Sequence, residues 1–325
     1  MMLKKYRRLL TFSAAGLSAL ALSAIPAVRA ADHGDHTPIE NENRDRDRQL
    51  RLTDLYAFIR DGYLVLILNS NPEVHETDAG ATEDSFRFPE NVKFEINIDR
   101  HTQVNFDVQD PYRIGGRIVD PENIAPDIVF TIVTDENGEP KPPKATGLSE
   151  TTKIDYEYGL KDDPFIRNTR CGANVAAIVL QVPLNDISLP NQPLLIWATS
   201  NEISHHSPSG FEQVEHAGPP LRSMFNPPIN TRPPSQHLQG LRVQPDVLIL
   251  NPDNLTSQRR VKFPNGRELE DDVVGIVGHP EEPPNRWTEN DKPFRDEFPY
   301  LADPHDPQPE KPTDCVTAEP EEETP

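Results

Sequence analysis

The chain is poor in cysteine, in positive charge and in helical periodicity. Cys171 and Cys315 are its only cysteines in 325 residues. They are compatible with one disulfide in an oxidising compartment and equally with two separate thiols, because spacing alone does not decide pairing. Beyond the first 30 residues no run approaches the roughly 20 apolar residues of a membrane-crossing helix, so no membrane span is expected in the mature chain. There is no Gly-x-Ser-x-Gly elbow and no phosphate-cradling glycine loop. His75-Glu76 lacks a second histidine at helical spacing, so the zinc-protease motif is absent too. The sequence therefore assigns no catalytic residue. Lys and Arg number 32 against 53 Asp and Glu, a net charge of −21. Such a chain repels nucleic acid and anionic membranes, and it tolerates or attracts divalent cations.

Proline is abundant: 35 residues, roughly twice average usage. It interrupts helices and central strands, so long ordered loops between short strands are expected. The first 30 residues read as a secretory signal peptide. Lys4, Lys5, Arg7 and Arg8 form the positive end, an apolar stretch follows, and Val28-Arg29-Ala30 fits the small-residue cleavage rule. Arg7-Arg8-Leu9-Leu10 also resembles a twin-arginine signal, although Thr11 interrupts the expected apolar pair. Cleavage after Ala30 would remove five positive charges and take the net charge from −21 to −26. The expectation is an exported bacterial protein, periplasmic or extracellular.

The mature chain should open with a polar arm over residues 31–51. Residues 52–302 should form one β-rich domain, and residues 303–325 a disordered, acidic, proline-rich tail. Asp61-Gly62 between two apolar runs is a strong short hairpin signal, since both turn positions need positive φ. Residues 63–68, YLVLIL, are apolar on both faces, which marks a strand covered on both sides. Residues 92–99 alternate, with Val92, Phe94, Ile96 and Ile98 toward a core and Lys93, Glu95, Asn97 and Asp99 toward water. Further strands are expected at 128–133, 153–158, 175–182 and 194–199. Polar or proline-rich loops are expected at 71–90 and 211–234, a short helix or strand within 236–250, and a short helix over 267–277. Recurrent strands without helical periodicity argue for an antiparallel β-sandwich-like single domain, mainly β, with few short helices.

Several stretches together resemble a bacterial exported family known as domain of unknown function 4331. They begin at Asp32-His33-Gly34-Asp35 and Leu52-Thr53-Asp54-Leu55-Tyr56-Ala57-Phe58. They continue through Asp162-Asp163-Pro164-Phe165, the 174–184 strand, Leu195-Ile196-Trp197-Ala198-Thr199 and the 213–221 segment. They end with Pro264-Asn265-Gly266-Arg267, Asp271-Asp272-Val273-Val274, Asn290-Asp291-Lys292-Pro293-Phe294 and Phe298-Pro299-Tyr300-Leu301. The resemblance implies an exported β-rich protein and carries no established activity. Family members often follow the strand ending at Asp99 with an acidic, cation-friendly loop. Here residues 100–107 have largely lost those carboxylates, which argues against a calcium site there.

Two metal readings attach to the amino-terminal arm. If the mature chain begins Ala31-Asp32-His33, the amino group, two amide nitrogens and the imidazole can enclose Cu(II) or Ni(II) in a square plane. Alternatively His33, Asp35, Asp54 and His216 converge on a divalent ion, Zn²⁺ if the geometry is tetrahedral. Set against both is a hydrogen-bonded polar layer that binds nothing. His205-His206 points to opposite faces if it lies on a strand, so it reads as surface. Trp197, Trp287, Tyr112, Tyr156 and Tyr158 offer a minor carbohydrate face. Asp291, Phe294, Phe298 and Tyr300 read as a clamp that packs the C-terminal segment on the sandwich. The leading expectation is a non-catalytic binding protein with a divalent metal ion (Cu, Zn or Ca) at a His/Asp cluster. A metal-dependent hydrolase and a structural envelope component are the alternatives.

Overall fold

The turn at Asp61-Gly62 sets the first register. Both residues take positive φ, 52° and 82°, and Arg60 pairs with Tyr63 across a two-residue connection. Primed turns of this kind match the twist of the strands they join. In this computed structural model the described residues are 49–74, 86–106, 115–164, 172–219, 229–239, 244–254, 263–271, 273 and 290–306.

The hairpin comprises β1 (Leu52–Arg60) and β2 (Tyr63–Val74). β2 pairs with β9 (Asn174–Pro183), and β9 with β8 (Asp155–Asp162), which gives a four-stranded sheet in the order β1-β2-β9-β8. The second sheet runs β11-β10-β3-β6-β7. Its strands are β3 (Val92–Asp99), β6 (Ile128–Val133), β7 (Lys144–Thr146), β10 (Leu194–Ile203) and β11 (Phe211–Ala217), and β12 (Leu248–Leu250) adds to β10. A two-stranded ribbon joins β4 (Val104–Asn105) to β5 (Arg117–Ile118). Every pairing is antiparallel. The fold is mainly β, with the two sheets packed together and few short helices, as the strand pattern predicts.

The core has three parts. Between the sheets, Leu64, Leu66, Leu68, Ile178 and Leu180 meet Phe94, Ile96, Ile98, Phe130 and Ile196. On the outer face of the first sheet, Val65, Ile67 and Val179 pack with Tyr56, Phe58, Tyr300 and Leu301, and Phe294 and Phe298 lean against them. This is the double cover read from the YLVLIL run. On the outer face of the second sheet, Leu195 and Trp197 pack with Ile118, Ile124, Val247 and Ile249. Trp197 is thus a core residue and presents no carbohydrate face; Trp287 and Tyr112 lie outside the described residues.

Four local expectations are corrected. β2 continues to Val74, into the stretch read as loop. Residues 211–217 form edge strand β11 rather than loop, because pairing with β10 and burial of His216 and Ala217 outweigh a polar composition. Of the short helix expected over 267–277, Val273 is helical, but Arg267 is not: it bridges Ala57 through two backbone hydrogen bonds, and residues 272 and 274–277 lie outside the described residues. Asp99 and Asn97 are buried rather than facing water. The Asp99 carboxylate accepts hydrogen bonds from the amides of His101, Thr102 and Ala125 and from the Thr102 hydroxyl, at 2.6–3.1 Å. Protein donors therefore saturate it at the head of the 100–106 loop.

Candidate metal centre

Among the described residues, one group of three ligand-capable side chains converges: Asp162, Asp291 and His305, with one candidate atom from each within 4.8 Å of the others. Asp162 is the last residue of β8, an edge strand of the first sheet. Asp291 and His305 belong to the C-terminal segment that covers that sheet. Backbone contacts stitch the segment down. The Asp162 amide donates to the Ala302 carbonyl at 3.3 Å. The His305 amide donates to Asn174 Oδ1 at 2.8 Å, and Asn174 Nδ2 donates to the His305 carbonyl at 3.1 Å. Lys292 Nζ donates to the carbonyls of Asp303 and Pro304. Residues 303–306 thus belong to the body and not to the expected tail; residues 307–325 lie outside the described residues.

His305 Nε2 lies 2.8 Å from Asp162 Oδ1 and 3.2 Å from Asp291 Oδ2. The Asp162 side chain is 1% exposed, while those of Asp291 and His305 are 14% and 19% exposed. The other Asp162 oxygen accepts from Asn290 Nδ2 at 2.5 Å, and Asp291 Oδ2 accepts from the Gly172 amide at 2.7 Å. His305 Nε2 and Asp162 Oδ1 are both buried and, despite their approach, lack a well-directed hydrogen bond.

The electrostatics follow from this arrangement. Burial pushes the Asp162 carboxyl up to about 6, against the pull of His305 and Asn290. Contact with Asp162 and then Asp291 pushes the His305 imidazole up to about 9, although burial opposes its charge. Burial also opposes ionisation of Asp291, but His305 and the Gly172 amide outweigh it and hold that carboxyl below its usual range. At neutral pH the three groups form a carboxylate–imidazolium–carboxylate triad. Loss of the imidazole proton converts it into a set of one nitrogen and two oxygen donors.

The residues singled out from the sequence lie elsewhere. Ala31, Asp32, His33 and Asp35 are outside the described residues, as are Cys171 and Cys315. Asp54, on β1, meets Arg267 Nη1 at 2.5 Å. His216, on β11, is fully buried, with Nε2 at 2.6 Å from the Asp246 carbonyl and its ring edge-on to His237 at 4.7 Å. Neither residue belongs to the converging group. His205 and His206 are exposed in the turn between β10 and β11. The Phe294, Phe298 and Tyr300 clamp packs as expected, but Asp291 serves the triad.

Sequence reasoning puts His305 in the tail and gives the two aspartates a packing role or none. One signal was available. The pattern Asp-x-Pro-Phe occurs at residues 162–165 and again at 291–294, and the first aspartate of each copy flanks His305. No family model, no curated protein and no solved structure matches the chain.

Proposed function

We propose that this is an exported, non-catalytic binding protein of the unknown-function family it resembles, and that it holds a divalent metal ion between Asp162, Asp291 and His305. The convergence of three ligand atoms from β8 and the C-terminal segment carries this reading. One imidazole nitrogen with two carboxylate oxygens suits Zn²⁺ better than Ca²⁺, which takes six to eight oxygens, or Cu(II), which favours more nitrogen. Tetrahedral Zn²⁺ with bonds of about 2.0–2.1 Å sets its ligand atoms roughly 3.3 Å apart. The 3.2 Å separation of His305 and Asp291 lies close to that spacing, and the 2.8 Å contact of His305 with Asp162 would open to admit the ion. The ion must displace the His305 proton, so affinity rises with pH until that proton is gone.

Zinc titration of chelator-stripped protein at pH 8, with elemental analysis after dialysis, tests this. One ion per chain is expected, lost in His305→Ala and in Asp291→Asn and kept in His33→Ala. Absence of a stoichiometric ion at pH 8 ends the reading. Loss in His33→Ala alone moves the ion to the amino-terminal arm.

One observation favours the hydrolase alternative. A cleft of about 680 Å³, lined by Arg60, Glu268, Asn290, Asp291, Phe294 and others, adjoins the triad. Three protein ligands leave Zn²⁺ a fourth position, and an open position facing a cleft is what metal-assisted hydrolysis requires. Zinc-dependent cleavage of nitrophenyl phosphate or carboxylate esters, abolished by His305→Ala, would select that alternative.

A further inference from the structure

Some six residues from Asp162 along β8, about 20 Å at strand spacing, the same edge carries a second concavity. It measures about 430 Å³ and is bounded by Phe86, Arg87 and Phe88, by Gly138, Glu139 and Pro140, and by Tyr156, Glu157, Tyr158 and Gly159. We infer that this groove binds a neutral oligosaccharide stacked on Tyr156.

Tyr156 is 43% exposed. Its ring stacks on Tyr158 at 5.2 Å with 29° between the planes. Tyr158 is half-buried, and its hydroxyl reaches the Lys141 carbonyl at 3.4 Å. Burial holds its phenol well above the usual range. The inner ring packs against the inter-sheet core, and the outer ring stacks on it while remaining exposed. A platform set before the ligand arrives loses little conformational freedom on binding.

The walls are polar. Arg87 Nε and Glu139 form a 2.7 Å pair whose side chains are 51% and 56% exposed. Glu157 holds Lys161 at 2.5 Å. Loops 86–88 and 135–139 are locked together: the Phe88 amide donates to the Gly138 carbonyl at 3.2 Å. Gly159 has nothing within 4 Å of where a Cβ would stand, so the backbone at that end of the groove is open.

An exposed aromatic face beside planar, charged hydrogen-bonding groups matches a sugar ring, whose C–H faces stack while its hydroxyls take directional bonds. The volume lies within the range of small-ligand sites. Glu139, Glu157 and the chain's net charge of −21 disfavour nucleic acid and acidic polysaccharides. An apolar peptide or lipid would desolvate the charged Arg87–Glu139 pair, whose side chains are both more than half exposed, without offering it new hydrogen bonds.

Native gels cast with neutral glucan, mannan, xylan, galactan or glycol chitin test the inference on the full chain. Retardation by at least one polymer is expected, weakened about tenfold in Tyr156→Ala and retained in Tyr156→Trp. Retardation by none of the polymers, or equal retardation of Tyr156→Ala, overturns it. His305→Ala should run as the wild type. Joint loss there would move the sugar to the metal cleft and overturn the groove assignment as well.

Discussion

The guanidinium of Arg267 lies 4.1 Å from the centre of the Tyr56 ring, and both residues are sealed from solvent. Its Nη1 reaches Asp54 at 2.5 Å, and both side chains are 2% exposed. Burial opposes the charge on Arg267, but Asp54 and Tyr56 outweigh it. Removing Asp54 would leave a buried cation without its counter-charge. Asp54→Ala is therefore expected to destabilise the fold by about 3–5 kcal/mol in urea unfolding. A loss of about 1 kcal/mol or less would show that water reaches the pair.

His305 makes stability fall on the alkaline side. Its folded pKa is raised to about 9, so the folded state binds the proton more tightly than the unfolded chain, whose histidine titrates near 6.5. The contribution is complete below about 6.5 and is lost as pH rises to about 9. Melting temperature without metal should decline across that window, and His305→Gln should flatten the decline. If the three side chains hold Zn²⁺ as proposed, saturating ion should reverse it, because it would bind the deprotonated site. An identical decline in wild type and His305→Gln would show that His305 holds no special proton.

Glu215 acts lower on the scale. Burial pushes its carboxyl up to about 7, against Arg51 and an Asn230 hydrogen bond. The folded state thus prefers the protonated form, and stability falls as pH rises from about 4.5 through 7. Glu215→Gln keeps the shape and an acceptor for Asn230 Nδ2, 2.9 Å away in the wild type. The variant should melt higher than wild type at pH 8 and equally at pH 4.5. A lower melting point at pH 8 would mean that the attraction of Arg51 exceeds the burial penalty.

Two glycines at similar φ should respond differently. Gly62 (φ 82°) has nothing within 4 Å of where an added methyl would stand, whereas at Gly138 (φ 73°) the methyl would lie 2.1 Å from the Phe88 carbonyl oxygen. Gly62→Ala should cost about 1 kcal/mol, the left-handed penalty alone. Gly138→Ala should cost at least about 2 kcal/mol, since the loops must also separate. It should also weaken sugar binding in the groove that those loops frame. Equal costs at the two positions would contradict the close approach.

The strands were legible where local chemistry and burial agree. Asp61-Gly62 needed only its own φ preference, and residues 92–98 and 128–133 carried their core face in period two. β11 was not legible, because an edge strand with Glu212, Gln213 and Glu215 reads as loop until β10 is known to lie beside it. Asp99 and Asp54 look like polar outposts in the sequence, yet each is buried against partners distant in sequence or in a following loop. The triad was hidden for the same reason. Asn290 lies 128 residues from Asp162, and His305 lies 131 residues from the Asn174 that anchors it. No window short enough to show periodicity contains both ends, and only the repeated Asp-x-Pro-Phe pattern hinted that they meet.

The strap of residues 290–306 over the first sheet also has a meaning in time. Synthesis runs from the amino terminus, so β1, β2, β8 and β9 can pair before the strap exists. During that interval Val65, Ile67 and Val179 lack the cover of Phe294, Phe298, Tyr300 and Leu301, and Asp162 has neither Asp291 nor His305 beside it. The strap closes an aromatic seam and completes the triad in one event. A chain cut short before residue 290 would keep most of its strands, yet it would expose a sticky sheet face and have no triad.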